Sequence, residues 1–294
     1  MSTETTNANN KKRIGLGQLT SINNKTVNFE KCKGLIEKAA NSKVDLFCLP
    51  ECFAFIGGGV DPMDSRNNAE YIDQPDGTIE KFRDLAKKHS MWLSLGGFHE
   101  KILEEPDQIY NTHLIIDSSG EIVVKYHKMH LFDVDIPSKG VSMNESKVVK
   151  SGDEIMVCKS PVGNLGISIC YDVRFPEFYL TLRQMGAEII LVPSAFTYTT
   201  GKAHWSTLLR ARAIENQCYV VAAAQTGNHH PKRKSYGHSL IVDPWGEVLC
   251  EIDENVTDEI AYCDIDLNFL NEIRENLPVY SHKKYDCYNI NKKK

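Results

Sequence analysis

The sequence predicts a single α/β domain whose sheets are covered by helices. Three observations carry that reading. Short apolar, β-branched runs bounded by Gly, Pro, Asn and Asp recur between Arg13 and Asp264. Segments of helical spacing separate most of them. Two runs of strands follow one another as hairpins, around Ser119-Gly120 and Pro244-Trp245-Gly246. Strands alternating with helices form sheets that the helices cover. At 294 residues, 41% hydrophobic and 25% charged, the chain is ample for one core and near the upper limit of one domain.

Taken in order, residues 1–12 (MSTETTNANNKK) read as a disordered lead with neither an apolar stretch nor Arg enrichment. Arg13 to Leu19 is a strand, and Asn28 to Ala40 a helix with Phe29, Cys32, Leu35, Ile36 and Ala39 on one face. Val44 to Leu49 is a strand that runs into Pro50-Glu51, and Gly57 to Asp76 a loop. Thr78 to His89 is a helix, Trp92 to Gly96 a strand, and Tyr110 to Asp117 with Glu121 to His127 a hairpin. Lys128 to Asp153 is polar and aperiodic, so it reads as a long loop of the kind that usually carries function. Leu165 to Ile169 is a buried strand and Pro176 to Gly186 a helix, with Pro at its first position, an acid in its first turn and Gly at its end. Ala187 to Val192 and Cys218 to Ala224 are strands flanking a helix over Ala203 to Asn216. Gln225 to Tyr236 is a basic, His-rich loop. Strands over Gly237 to Val242, Val248 to Ile252 and Ile260 to Asp264 precede a last helix, Leu267 to Asn276. Residues 289–294 form a solvated, Lys-rich tail.

Composition narrows the function. Net charge is −5 and the sequence pI about 6.1, which does not suggest a nucleic-acid or membrane surface. No apolar run approaches the length of a membrane span. The nine cysteines are scattered without a CxxC pair, which argues for reduced thiols, a cytoplasmic setting and no zinc site. His229, His230 and His238 lack the cysteine or carboxylate spacing of a metal centre, so neither metal nor cofactor is expected.

Cys170 is the organising residue. It lies between a strand end and a helix start, close to backbone N–H groups and a partial positive charge, an environment expected to favour thiolate and to hold an oxyanion. Glu51 follows the strand KVDLFCLP and Lys128 follows EIVVKYH, so all three occupy carboxyl ends of strands, where such folds bind ligands. Singly, Glu51 reads as a helix cap, Lys128 as a solvated cation and Cys170 as a buried structural thiol. Together they supply a general base, a cation for a developing oxyanion and a nucleophile. A papain-like peptidase would need a histidine base, and no histidine here sits in a matching segment; a non-catalytic scaffold would not need the three together.

The segments LPECFAF, YHKMHLFDVDIP and ICYDVRFPEFY resemble the nitrilase superfamily of carbon–nitrogen hydrolases, from about Arg13 to Tyr288. The resemblance implies an αββα sandwich over residues 13–288, with Glu51, Lys128 and Cys170 catalytic and Glu145, in SMNESK, a supporting acid. It implies an amidase working through a cysteine thioester, a homodimer built from segments after Cys170, and a functional link in some relatives to a histidine-triad nucleotide hydrolase. Tyr171-Asp172, where nitrilases proper carry Trp-Glu, and the stretch from Pro193 to Val248 point to a branch acting on amides of 2-oxo acids. Such a substrate, with a carboxylate at each end, is expected to meet the Tyr171 backbone N–H, Arg174, Ser194, Phe196, Thr197 and Arg233. Arg174 would take the nearer carboxylate and Arg233 the farther, although a solvated basic turn is the plain alternative for the loop that holds Arg233.

Overall fold

The computed structural model describes residues 11–58, 61, 63–139 and 141–287. Most of the expected N-terminal lead and the whole Lys-rich tail lie outside the described residues. The first half of the chain runs β1 (Lys12–Gln18), α1 (Lys25–Asn41), β2 (Leu46–Leu49), the single turn α2 (Asp64–Asn67), α3 (Thr78–His89), β3 (Trp92–Lys101), β4 (Ile109–Ile116) and β5 (Ile122–His127). The polar stretch that follows carries β6 (Asp133–Ile136) and β7 (Val141–Asn144). The second half runs β8 (Val157–Ser160), β9 (Gly163–Ile167), α4 (Pro176–Gln184), β10 (Ile189–Leu191), α5 (Tyr198–Asn216), β11 (Tyr219–Ala222), β12 (Thr226–His230), β13 (Arg233–Tyr236), β14 (Leu240–Val242), β15 (Val248–Glu251), β16 (Glu259–Ile265) and α6 (Leu267–Asn276).

Two six-stranded sheets result, ordered β16-β1-β2-β3-β4-β5 and β15-β14-β11-β10-β9-β8. Each has a parallel centre, β1-β2-β3 and β9-β10-β11, extended by antiparallel strands on both sides. Side-chain alternation explains why they stack. On β2, Leu46 and Cys48 join the core shared with the second sheet, whereas Phe47 and Leu49 join the core under α1 and α3. A strand buried on both faces needs an apolar residue at every position, which is why LFCL reads as a continuous run. The layers are therefore helices, sheet, sheet, helices: the αββα sandwich that the resemblance implies.

Several expectations need correction. The two segments read as loops, 128–153 and 225–236, contain the hairpins β6–β7 and β12–β13. Their strands are only four or five residues long and mostly polar, and the side chains that β12–β13 buries are the polar Thr226, His229 and Ser235, so neither hairpin shows the apolar run of a core strand. The edge strand β8 had no counterpart in the sequence reading for the same reason. Helix α5 begins at Tyr198 rather than Ala203. Thr199, Thr200 and Gly201 are weak helix formers, but a Cβ at Gly201 would meet Tyr236 Cβ at 2.4 Å, so packing against β13 dictates both the glycine and the helical turn.

Candidate active site

The carboxyl ends of the strands open onto a cavity of about 220 Å³, lined by Glu51, Lys128, Glu145 and Cys170. Glu51 comes from the first sheet, just past β2, and Lys128 follows β5. Cys170 comes from the second sheet, three residues past the end of β9. It does not end that strand, as expected, but starts a 3-10 turn over Cys170–Arg174. Its φ of +47° lies in the left-handed region, where a residue with a side chain is strained.

The turn is held by Asp172, which is fully buried. Its Oδ2 accepts from Ile169 N–H at 2.8 Å and the Tyr126 hydroxyl at 2.7 Å. Its Oδ1 accepts from His130 N–H at 3.1 Å and His130 Nδ1 at 2.8 Å. The aspartate that follows Tyr171 is thus the clamp that fixes the cysteine's unusual backbone, and it ties the turn to β5 of the opposite sheet.

Lys128 Nζ donates to Glu51 Oε1 at 2.9 Å and to Glu145 Oε1 and Oε2 at 3.0 and 2.9 Å. Asn111 Nδ2 bridges the two carboxylates, donating to Glu51 Oε1 at 2.9 Å and Glu145 Oε1 at 3.1 Å. Ala195 N–H donates to Glu51 Oε2 at 2.8 Å, and Phe132 N–H to Glu145 Oε2 at 2.7 Å. Room for Glu51 comes from Gly97, whose φ is +64° and where a Cβ would lie 2.5 Å from Glu51 Cγ. Buried charges are costly unless paired and hydrogen-bonded, and here each has several partners.

Protonation follows from these contacts. Burial opposes ionisation of Glu51, yet the Lys128 ammonium and hydrogen bonds from Lys128, Cys170 and Asn111 hold the carboxyl below its usual range. Burial would likewise discharge Lys128, but Glu145 and Glu51 keep its ammonium charged well above neutrality. Burial and then the Glu51 carboxylate push the Cys170 thiol well up, against Lys128 and the Ala195 N–H. The resting nucleophile is therefore a thiol hydrogen-bonded to a carboxylate, not the thiolate that the strand-to-helix setting suggested. Burial first and the adjacent Glu51 carboxylate second outweigh Lys128 and the local N–H group.

Of the expected substrate contacts, Tyr171, Arg174, Phe196, Thr197 and Arg233 line the cavity, and Ser194 does not. Ser194 is fully buried and its hydroxyl donates to Val192 O. The residue that reaches the site is its neighbour Ala195, through a backbone N–H that no side-chain pattern announces. Arg174 lies over the rings of Tyr171 and Phe196 and contacts His204 Nδ1 at 3.3 Å. Neither Arg174 nor Arg233 has a carboxylate partner among the described residues. Sequence reasoning missed Asn111, His99 and Cys52. Asn111 was detectable as part of a polar triplet, Asn111-Thr112-His113, inside an apolar strand. His99 and Cys52 line the cavity with Sγ 3.9 Å from Nε2. Burial, with Arg233 next, lowers the imidazole to about 4, so His99 is neutral; burial, with Glu51 next, lifts the Cys52 thiol to about 12. No group of three or more metal-ligating side chains occurs among the described residues.

A buried thiol, carboxylate and ammonium at the strand ends of an αββα sandwich define a class, and comparison with known proteins agrees: the chain belongs to the carbon–nitrogen hydrolase family, whose model matches residues 13–275. It is a hydrolase acting on carbon–nitrogen bonds of amides. Within the family it is 67% identical to the deaminated glutathione amidase of Dictyostelium discoideum, over 96% of this chain and 97% of that protein. It is 45% identical to the human deaminated glutathione amidase, over 94% of this chain and 83% of that one. The crystal structure of the C. elegans NitFhit protein superposes with a TM-score of 0.88 at 48% identity, covering 96% of this chain and 67% of that one.

Proposed function

We propose that this protein hydrolyses the amide bond of deaminated glutathione, releasing cysteinylglycine and 2-oxoglutarate. The observation that carries the reading is a reactive thiol flanked by two arginines that lack carboxylate partners among the described residues, in a chain so similar to proteins of that activity. The substrate has a carboxylate at each end, and two guanidinium forks without carboxylate partners among the described residues suit both.

The chemistry runs in two halves. Cys170 attacks the amide carbonyl while its proton passes to Glu51. The oxyanion is held by the Tyr171 N–H and by Lys128, which exchanges one of its two bonds to Glu145 for the new charge. Glu51 returns the proton to the departing amine, leaving cysteinylglycine free and 2-oxoglutarate as a thioester on Cys170. Water then attacks the thioester as Glu51 takes its proton. The second oxyanion collapses, 2-oxoglutarate leaves, and the proton on Glu51 restores the thiol. Glu145 keeps Lys128 charged and aimed throughout, and no step calls for a metal or cofactor.

The same reading makes this a cytoplasmic metabolite-repair enzyme and a homodimer. No helix of the described residues is long and apolar enough to cross a membrane. A working link to a histidine-triad nucleotide hydrolase is part of it. The C. elegans relative is a nitrilase and fragile histidine triad fusion protein, and this chain is 50% identical to it over 62% of its length. The test of the substrate is kcat/KM for deaminated glutathione beside 2-oxoglutaramate, the small-carboxamide alternative. The proposal requires a clear preference for the former; a preference for 2-oxoglutaramate overturns it in favour of an omega-amidase.

A further inference from the structure

Two cysteines remote from the cavity meet where the outer strands of the two sheets approach each other. Cys250 lies on β15, the outermost strand of the second sheet, and Cys263 on β16, the outermost strand of the first. In the strand register Cys250 stands opposite Ile241, and Cys263 opposite Ile14. Directly opposed residues of antiparallel strands point to the same face. Both isoleucines belong to one hydrophobic core, and both cysteines pack against it. The two thiols hydrogen-bond to each other, and each is only partly buried.

We propose that Cys250 and Cys263 are a modification site, a dithiol that closes to a disulfide joining the outer strand of one sheet to the outer strand of the other. Its oxidant is a small disulfide of the glutathione type. One sulfur attacks the oxidant's S–S bond, forming a mixed disulfide and releasing one small thiol. The second sulfur displaces the other small thiol and completes the Cys250–Cys263 bond. Two electrons pass to the oxidant, and the two protons of the dithiol end on the two released thiols. Either sulfur can make the first attack, because the two thiols share one hydrogen bond and each is partly buried.

The bond closes the short segment 251–262, which is already fastened to both halves of the molecule. Gln18 Nε2 donates to Asp253 O at 2.8 Å and Val256 O at 2.7 Å, and Thr226 Oγ1 donates to Glu254 O at 2.6 Å. A cross-link across this fastened segment would also restrain the unfolded chain.

The experiment uses the full chain treated with oxidised glutathione, then alkylated and mapped by mass spectrometry, with exposed Cys287 as the internal reference. The expected result is recovery of the Cys250 and Cys263 peptides as one linked species two hydrogens lighter, with a melting temperature several degrees above that of the reduced protein. Cys250→Ser should abolish both changes and leave amide hydrolysis at the native rate. The proposal is overturned if both thiols stay open to alkylation under conditions that modify Cys287. It is equally overturned if Cys250 keeps a mixed disulfide that Cys263 does not displace.

Discussion

Two sets of charges share the cavity, and they are partnered in opposite ways. Glu51 and Lys128 are buried and Glu145 half-buried, and all three are held by one another, by Asn111 and by the Ala195 and Phe132 N–H groups. Arg174 and Arg233 line the same space without a carboxylate among the described residues. Saturated charges are already held in place before substrate arrives, which is what transition-state stabilisation needs. Unsaturated charges gain their partners only from the substrate, which is what selection needs. Substitutions in the first set should therefore fall on rate and stability, and those in the second on substrate choice.

The largest effect is expected at Cys170. Cys170→Ala should eliminate turnover of every amide while the protein keeps its melting transition, because the clamp on the turn is Asp172 and not the thiol. Measurable turnover in that variant would move the nucleophile elsewhere. Next is the saturated set itself. Glu51→Gln keeps the shape and removes the base, and general acid–base assistance is worth about 10²–10⁴-fold in rate. Less than a threefold loss of kcat would take Glu51 out of the proton path. Lys128→Met strands the buried Glu51 carboxylate and the half-buried Glu145 beside it, so denaturant unfolding should report a loss of about 3–5 kcal/mol besides the loss of activity.

The same set has a pH signature. The Glu51 carboxyl sits below its usual range when folded, so its contribution to stability is complete above about pH 4.3, the unfolded value, and is lost as pH falls through the lower folded value. Denaturation midpoints of native protein and Glu51→Gln should converge on acidification through that window. A gap that stays constant across it would mean that Glu51 is not held ionised by its partners. For the unsaturated set, Arg174→Ala should lower kcat/KM about 10–100-fold for deaminated glutathione and for 2-oxoglutaramate alike, the cost of a lost charge-assisted hydrogen bond of about 1.5–3 kcal/mol.

The contrast also explains what could be read from the sequence. Glu51, Lys128, Glu145 and Cys170 stand in distinctive local segments, and the structure gathers them around one cavity. Sheets covered by helices were equally legible, because strands such as LFCL are buried on both faces and show it in their composition; the αββα sandwich itself came from the family resemblance. What escaped was whatever acts through backbone or through contact alone. Ala195 contributes an N–H, so the neighbouring Ser194 drew attention instead. Asn111 acts by bridging two acids that are far apart in sequence. The hairpins at the rim are short and mostly polar, and β12–β13 buries Thr226, His229 and Ser235 rather than apolar side chains, so β6–β7 and β12–β13 read as loops. The charge state of Cys170 also escaped, since a strand-to-helix turn predicts thiolate until the burial of the thiol and the carboxylate of Glu51 beside it are counted.

Arg233 tests the division of labour most directly. It should meet the distal glycine carboxylate, an end that 2-oxoglutaramate lacks. Parallel kcat/KM measurements on native protein and Arg233→Ala, with both substrates, are predicted to give a loss of about tenfold for deaminated glutathione, carried by KM. The value for 2-oxoglutaramate should stay within twofold of native. Equal losses on both substrates, or none on either, would contradict the account of Arg233 as the charge left open for the substrate's far end.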